Sequence, residues 1–210
     1  MRPWLIPALL LPLLAGQGRH AIPSEGHRTI VFLGDSLTAG LGLPLDQAYP
    51  SLIEARLHAE RSPWKVVNAG VSGDTTAGGL ARLDWIYKQK VDVLVVALGA
   101  NDGLRGIPVE QTEKNLRAIL QRARKEGSRV LLTGLRLPDN FGPQAQGRFA
   151  ALYPRLAAEF RVPLVPFLLE GVAMEPGLNQ PDGIHPNAKG ARKVADQLWV
   201  KLGPMLSGRR

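Results

Sequence analysis

Apolar residues along this chain fall into short, nearly continuous runs, separated by stretches in which they recur every three or four positions. The runs at 29–34, 65–68, 92–98, 129–133 and 163–167 are rich in valine, isoleucine and leucine and predict five strands. Runs with so few polar interruptions belong in a sheet covered on both faces. Between them, 46–60 carries Tyr49, Leu52, Ile53 and Leu57 on one helical face, and 112–126 carries Leu116, Ile119, Leu120 and Ala123. The segment 187–202 aligns Ala191, Val194, Ala195, Leu198 and Leu202, while 75–89 and 144–160 give weaker helical patterns. Five β–α units predict an α/β fold, a three-layer α/β/α sandwich around a mainly parallel five-stranded sheet.

The first residues do not fit this alternation. Arg2 precedes an apolar segment, 4–15, that is too short to span a bilayer, and Ala15, Gly16 and Gly18 form an imperfect small-residue cleavage site. Residues 1–18 read as a secretory signal peptide despite Pro7 and Pro12, which places the protein in the periplasm or outside the cell; a retained membrane-surface anchor is the alternative. A polar leader, 19–27, follows, then one domain at 28–206 and a basic tail at 207–210. A chain of 210 residues with 45% hydrophobic content suffices for one such core. There is no cysteine, so disulfides and thiolate metal sites are excluded. The net charge of +8 favours anionic partners, but the basic residues are scattered without interleaved aromatics, which argues against nucleic-acid binding.

Four polar, turn-forming clusters lie after strands or just before a helix: Gly34-Asp35-Ser36-Leu37, the stretch from Asn68 to Asp74, Gly99-Ala100-Asn101-Asp102-Gly103, and Asp182-Gly183-Ile184-His185-Pro186-Asn187. In a parallel sheet such loops share the carboxyl edge, where open α/β folds bind ligands. Acyl transfer needs a hydroxyl nucleophile, an imidazole base, a carboxylate to orient it and donors for an oxyanion. Ser36 is the candidate nucleophile, although it or Asp35 could merely cap the following helix. His185 is the candidate base, since His20 and His27 lie in the leader and His58 is on a polar helix face. Asp182 precedes His185 by three residues, close enough to hold Nδ1–H, although a plain turn with Asp182 or Asn187 as helix cap fits as well. Asn101 offers an amide, Gly73 a backbone N–H with no Cβ in the way, and Ser36 its own N–H at a helix start. Asn-Asp-Gly is also a common turn sequence.

At these residues the chain resembles the GDSL or SGNH hydrolases, and within them the bacterial thioesterase I, arylesterase and lysophospholipase branch. The resemblance rests on G-D-S-L-T-A-G-L-G, N-A-G-V-S-G-D-T-T, N-D-G-L-R-G, the loop from Leu137 to Gly142, and D-G-I-H-P-N, and runs from Thr29 to about Leu206. It implies a flavodoxin-like fold and a serine esterase acting on aryl esters, acyl thioesters or lysophospholipids. Ser36 would be the nucleophile, Asp182 and His185 the acid and base, and Ser36, Gly73 and Asn101 the oxyanion donors. No metal or organic cofactor is implied. Leu104, Leu137, Pro138, Phe141 and Ile184, apolar residues near these loops, are expected to contact the acyl chain, and 75–79, with Gly78-Gly79, to gate entry. The expected partner is a small acyl ester or thioester, with at most transient contact with lipid, and the expected state a monomer. Two alternatives stay open: a carbohydrate acetylesterase with the same triad, and a non-catalytic flavodoxin-like module holding phosphate at 35–38.

Overall fold

The structure, a computed structural model, describes residues 28–207. The expected signal peptide and polar leader, and all but Ser207 of the basic tail, lie outside the described residues.

Five strands form one sheet: β1 (Arg28–Gly34), β2 (Trp64–Gly70), β3 (Val93–Ala97), β4 (Arg129–Thr133) and β5 (Leu164–Val165). Their order is β2-β1-β3-β4-β5 and every pairing is parallel. Burial follows position. Ile30–Leu33 in β1 and the whole of β3 are essentially inaccessible, whereas β2, at the sheet edge, alternates buried Trp64 and Val66 with exposed Lys65 and Asn68. Strand β5 is shorter than the expected 163–167, because Pro163 and Pro166 on either side have no N–H for the ladder.

The helices are α1 (Ser36–Ala39), α2 (Tyr49–Ala59), α3 (Thr76–Ala81), α4 (Leu83–Ile86), α5 (Ala100–Leu104), α6 (Val109–Lys125), α7 (Pro143–Phe160) and α8 (Ala188–Ser207). α2 packs with α8, and α6 packs with α3 and α7, giving the two helical layers. The expected helix at 46–60 divides at Ala48, whose backbone is extended, into a 3₁₀ turn (Leu45–Gln47) and α2. Pro50 lies in the first turn of α2, where its missing N–H costs nothing. The segment 75–89 breaks at Arg82, whose guanidinium is drawn to Asp74 Oδ2 at 2.8 Å and to the Gly34 carbonyl at 3.0 Å. The chain reverses its direction across the sheet between β1 and β3. Loops after these two strands therefore diverge and open a crevice at the carboxyl edge.

Candidate active site

Strand β1 ends at Gly34, and the chain enters α1 at once. A Cβ on Gly34 would lie 1.8 Å from Thr38 Oγ1, and one on Gly70 only 2.2 Å from the Ala39 backbone N, so both glycines are needed for α1 to sit this close to the sheet. Gly40, at φ 76°, ends the helix after one turn. Asp35 is the N-cap: its Oδ1 accepts from Leu37 N at 3.0 Å. The capping task thus falls to Asp35 and leaves the Ser36 hydroxyl available.

That hydroxyl is 2.8 Å from His185 Nε2, across 149 residues of chain. His185 Nδ1 lies 2.6 Å from Asp182 Oδ2, while Asp182 Oδ1 accepts the backbone N–H of Ile184 at 2.9 Å and of His185 at 3.0 Å. These bonds, led by that from the His185 backbone and then its side chain, hold the Asp182 carboxyl down at about 2. Asp182 is therefore an anion at neutral pH, which assigns the Nδ1 hydrogen to the side facing it and leaves Nε2 to accept from Ser36. Asn187, not Asp182, serves the following helix: its Oδ1 accepts from Lys189 N and Gly190 N. The loop is fixed further by Gln180 N bonding the His185 carbonyl at 2.8 Å.

Asn101 is on α5, a one-turn helix where the Asn-Asp-Gly sequence suggested only a turn. Its Nδ2 donates to the Asp74 carbonyl at 2.9 Å and points a second hydrogen toward Asp35 Oδ2, 3.4 Å away. Gly73 is at φ +80°, and a Cβ there would meet nothing nearer than Arg105 Nη2 at 3.4 Å. Glycine is required at this position by the left-handed backbone rather than by a lack of space. Arg105 Nη2 holds the Gly73 carbonyl at 2.7 Å.

Asp35 does more than sequence reasoning assigned to it. It is 1% exposed, and burial raises its carboxyl from 3.8 to about 6, against the opposing pull of the Leu37 N–H and of the nearby His185. A carboxyl that holds its proton more tightly when folded contributes most to stability below pH 3.8, and that contribution is lost as pH rises through 6. The rise is worth roughly 3 kcal/mol. Asp35→Asn should therefore gain stability relative to wild type between pH 5 and pH 8, read from chemical denaturation at the two pH values. A gap that stays constant would mean that Asp35 does not hold its proton more tightly in the fold.

The five expected acyl-contact residues do not converge. Leu137 and Phe141 line a groove of about 190 Å³ together with Gly103, Ile107, Val109 and Phe149. Leu104 and Ile184 are 42% and 47% exposed, Pro138 is exposed, and none of the three lines that groove. Beside Ser36 and His185 lies a hollow of only about 10 Å³, bordered by Leu37, Leu41, Leu43 and Tyr49, about the space of one water molecule. The expected gate at 75–79 is the start of α3, with Thr76 and Gly79 buried. Its glycines serve close packing, since a Cβ on Gly79 would lie 2.2 Å from Leu98 Cδ1 and one on Gly78 1.8 Å from Asp74 Oδ1.

Known proteins are similar to this one over most of the chain. Residues 32–193 match the model of the GDSL-like lipase/acylhydrolase family. The esterase TesA of Pseudomonas aeruginosa is 43% identical over 180 residues, 85% of this chain and 90% of that protein. The thioesterase 1/protease 1/lysophospholipase L1 of Escherichia coli K12 is 42% identical over 205 residues, covering 97% of this chain and 94% of its own length. The crystal structure of TesA superposes with a TM-score of 0.82, covering 85% of this chain and all of that one. With this parallel sheet, this family match and these relatives, the chain belongs to the GDSL-like lipase/acylhydrolase family.

Proposed function

We propose that the protein hydrolyses carboxylic esters and thioesters of small acyl substrates through an acyl-enzyme on Ser36. The observation that carries this is the unbroken relay from Ser36 Oγ through His185 to Asp182, with both contacts at hydrogen-bond distance and the carboxylate ionised. His185 Nε2 takes the hydroxyl proton as Ser36 Oγ attacks the acyl carbon. Asp182 balances the imidazolium that forms. The negative charge developing on the carbonyl oxygen is met by the Ser36 N–H, the Gly73 N–H and Asn101 Nδ2. His185 then delivers its proton to the departing alcohol or thiol, the acyl–heteroatom bond breaks, and Ser36 is left acylated. Water, deprotonated by the same imidazole, repeats the sequence and releases the acid.

The relatives' names, an esterase and a thioesterase with lysophospholipase activity, support acyl esters and thioesters as the substrate class. The apolar groove that includes Leu137, Phe141 and Phe149 supports an acyl chain over a sugar. A p-nitrophenyl phosphonate should label the protein once, at Ser36, and p-nitrophenyl esters from acetyl to palmitoyl should turn over with a preference beyond acetyl. Labelling at another residue, or no turnover of any ester, would remove the reading. A sharp preference for acetylated sugars would favour the carbohydrate acetylesterase instead.

A further inference from the structure

Neighbouring residues of α5 grip one short segment of the second loop from two sides. Asn101 Nδ2 donates to the carbonyl of Asp74 at 2.9 Å. Asp102, fully buried, accepts the backbone N–H of Thr76 at 2.8 Å through Oδ2 and the Thr76 hydroxyl through Oδ1. Thr112 Oγ1 approaches the same Oδ1 at 3.4 Å. The Thr76 hydroxyl in turn accepts from Asn115 Nδ2 at 3.0 Å, and Gln111 Nε2 donates to Asn115 Oδ1 at 2.9 Å. Arg105, at the end of α5, holds the Gly73 carbonyl. Residues 73, 74 and 76 are thus each bonded to α5 or its C-cap.

A polar group removed from water costs several kcal/mol unless its bonds are met, so a buried carboxyl is a poor way merely to fill space. Here the bonds span the two backbone segments that carry Gly73 and Asn101. Donors for an oxyanion act only when their separation is set to a few tenths of an ångström, and a misplacement of 1 Å can cost about a hundredfold in rate.

We propose that Asp102 and Thr76 are positioning residues, whose buried hydrogen bonds fix the Asn101 amide and the Gly73 N–H at the spacing an oxyanion requires. The inference rests on the oxyanion role given to these donors under the proposed function. Neither Asp102 nor Thr76 touches substrate.

Thr76→Val keeps the side-chain shape and the backbone N–H but removes the hydroxyl, and Thr76→Ser restores the hydroxyl. Thr76→Val should lower kcat for p-nitrophenyl ester hydrolysis by about tenfold to a hundredfold with KM within about threefold, and slow phosphonate labelling in parallel. Thr76→Ser should return kcat to within about threefold of wild type. In an Asn101→Ala background the same valine should cost less than half as much on a logarithmic scale, because one donor it positions is already absent. Asp102→Asn, which keeps an acceptor for the Thr76 N–H and withdraws that for the hydroxyl, provides a second reading if the valine variant does not fold. A folded variant with wild-type kcat, or one whose loss is as large without Asn101 as with it, would overturn the proposal. Wild type that neither hydrolyses nor labels would instead overturn the proposed function.

Discussion

Replacing Ser36 or His185 with alanine should lower kcat by about 10⁴ to 10⁶ with the fold intact, measured as p-nitrophenyl ester hydrolysis at saturation alongside circular dichroism. The size follows from the geometry. Ser36 Oγ and His185 Nε2 are 2.8 Å apart and act as one unit, so losing either ends proton transfer and nucleophilic attack together. The double variant should accordingly be little worse than either single one. Asp182→Ala should cost less, because the imidazole can still accept a proton while losing the carboxylate that sets its orientation. At the rim, Asp182 also keeps the bonds to the Ile184 and His185 N–H groups that shape the turn, so this variant should soften the loop as well. A Ser36→Ala protein with kcat within a hundredfold of wild type would mean that another residue carries the acyl group.

Asn101→Ala is expected to cost about 10² to 10³ in kcat, the usual worth of one oxyanion donor. In the free protein one amide hydrogen is committed to the Asp74 carbonyl, and the other leans on Asp35 Oδ2 at a weak 3.4 Å. That second hydrogen is only weakly engaged and is the one left for a developing oxyanion, while the first holds the side chain in place. The loss should therefore fall on kcat, with KM nearly unchanged, since the ground-state carbonyl attracts the amide far less than the oxyanion does. An effect below about tenfold would remove Asn101 from the oxyanion site.

The parts of this fold legible from the chain are those whose signals are local. Continuous apolar runs announced β1, β3 and β4, since only strands shielded on both faces tolerate them. The helical stripe with Leu116, Ile119, Leu120 and Ala123 is buried in α6 as its spacing required. At two places where expectation and structure part, a nonlocal bond or a proline is responsible. The segment 75–89 breaks because Arg82 is pulled toward Asp74 and Gly34, and β5 is cut short by its flanking prolines. The stretch 100–104 forms a helix, despite its turn-like sequence, where Asp102 finds its partners on α3 and α6.

The same division holds at the candidate site. Asp182 and His185 are three residues apart, and their bond closes within one turn of chain, so spacing alone could suggest it. The sequence by itself also determined the fold class, the placing of four polar clusters on one sheet edge, and the family. Only the tertiary structure decided that Asp35 is buried and reaches Asn101, that Asp102 holds Thr76, and that Leu137 and Phe141 line a groove while Leu104, Pro138 and Ile184 stay outside it. Contacts within a turn are set by backbone geometry that a few residues dictate. Contacts across 26 to 149 residues depend on sheet order and on how closely helices pack against it, and no local pattern in the chain encodes them.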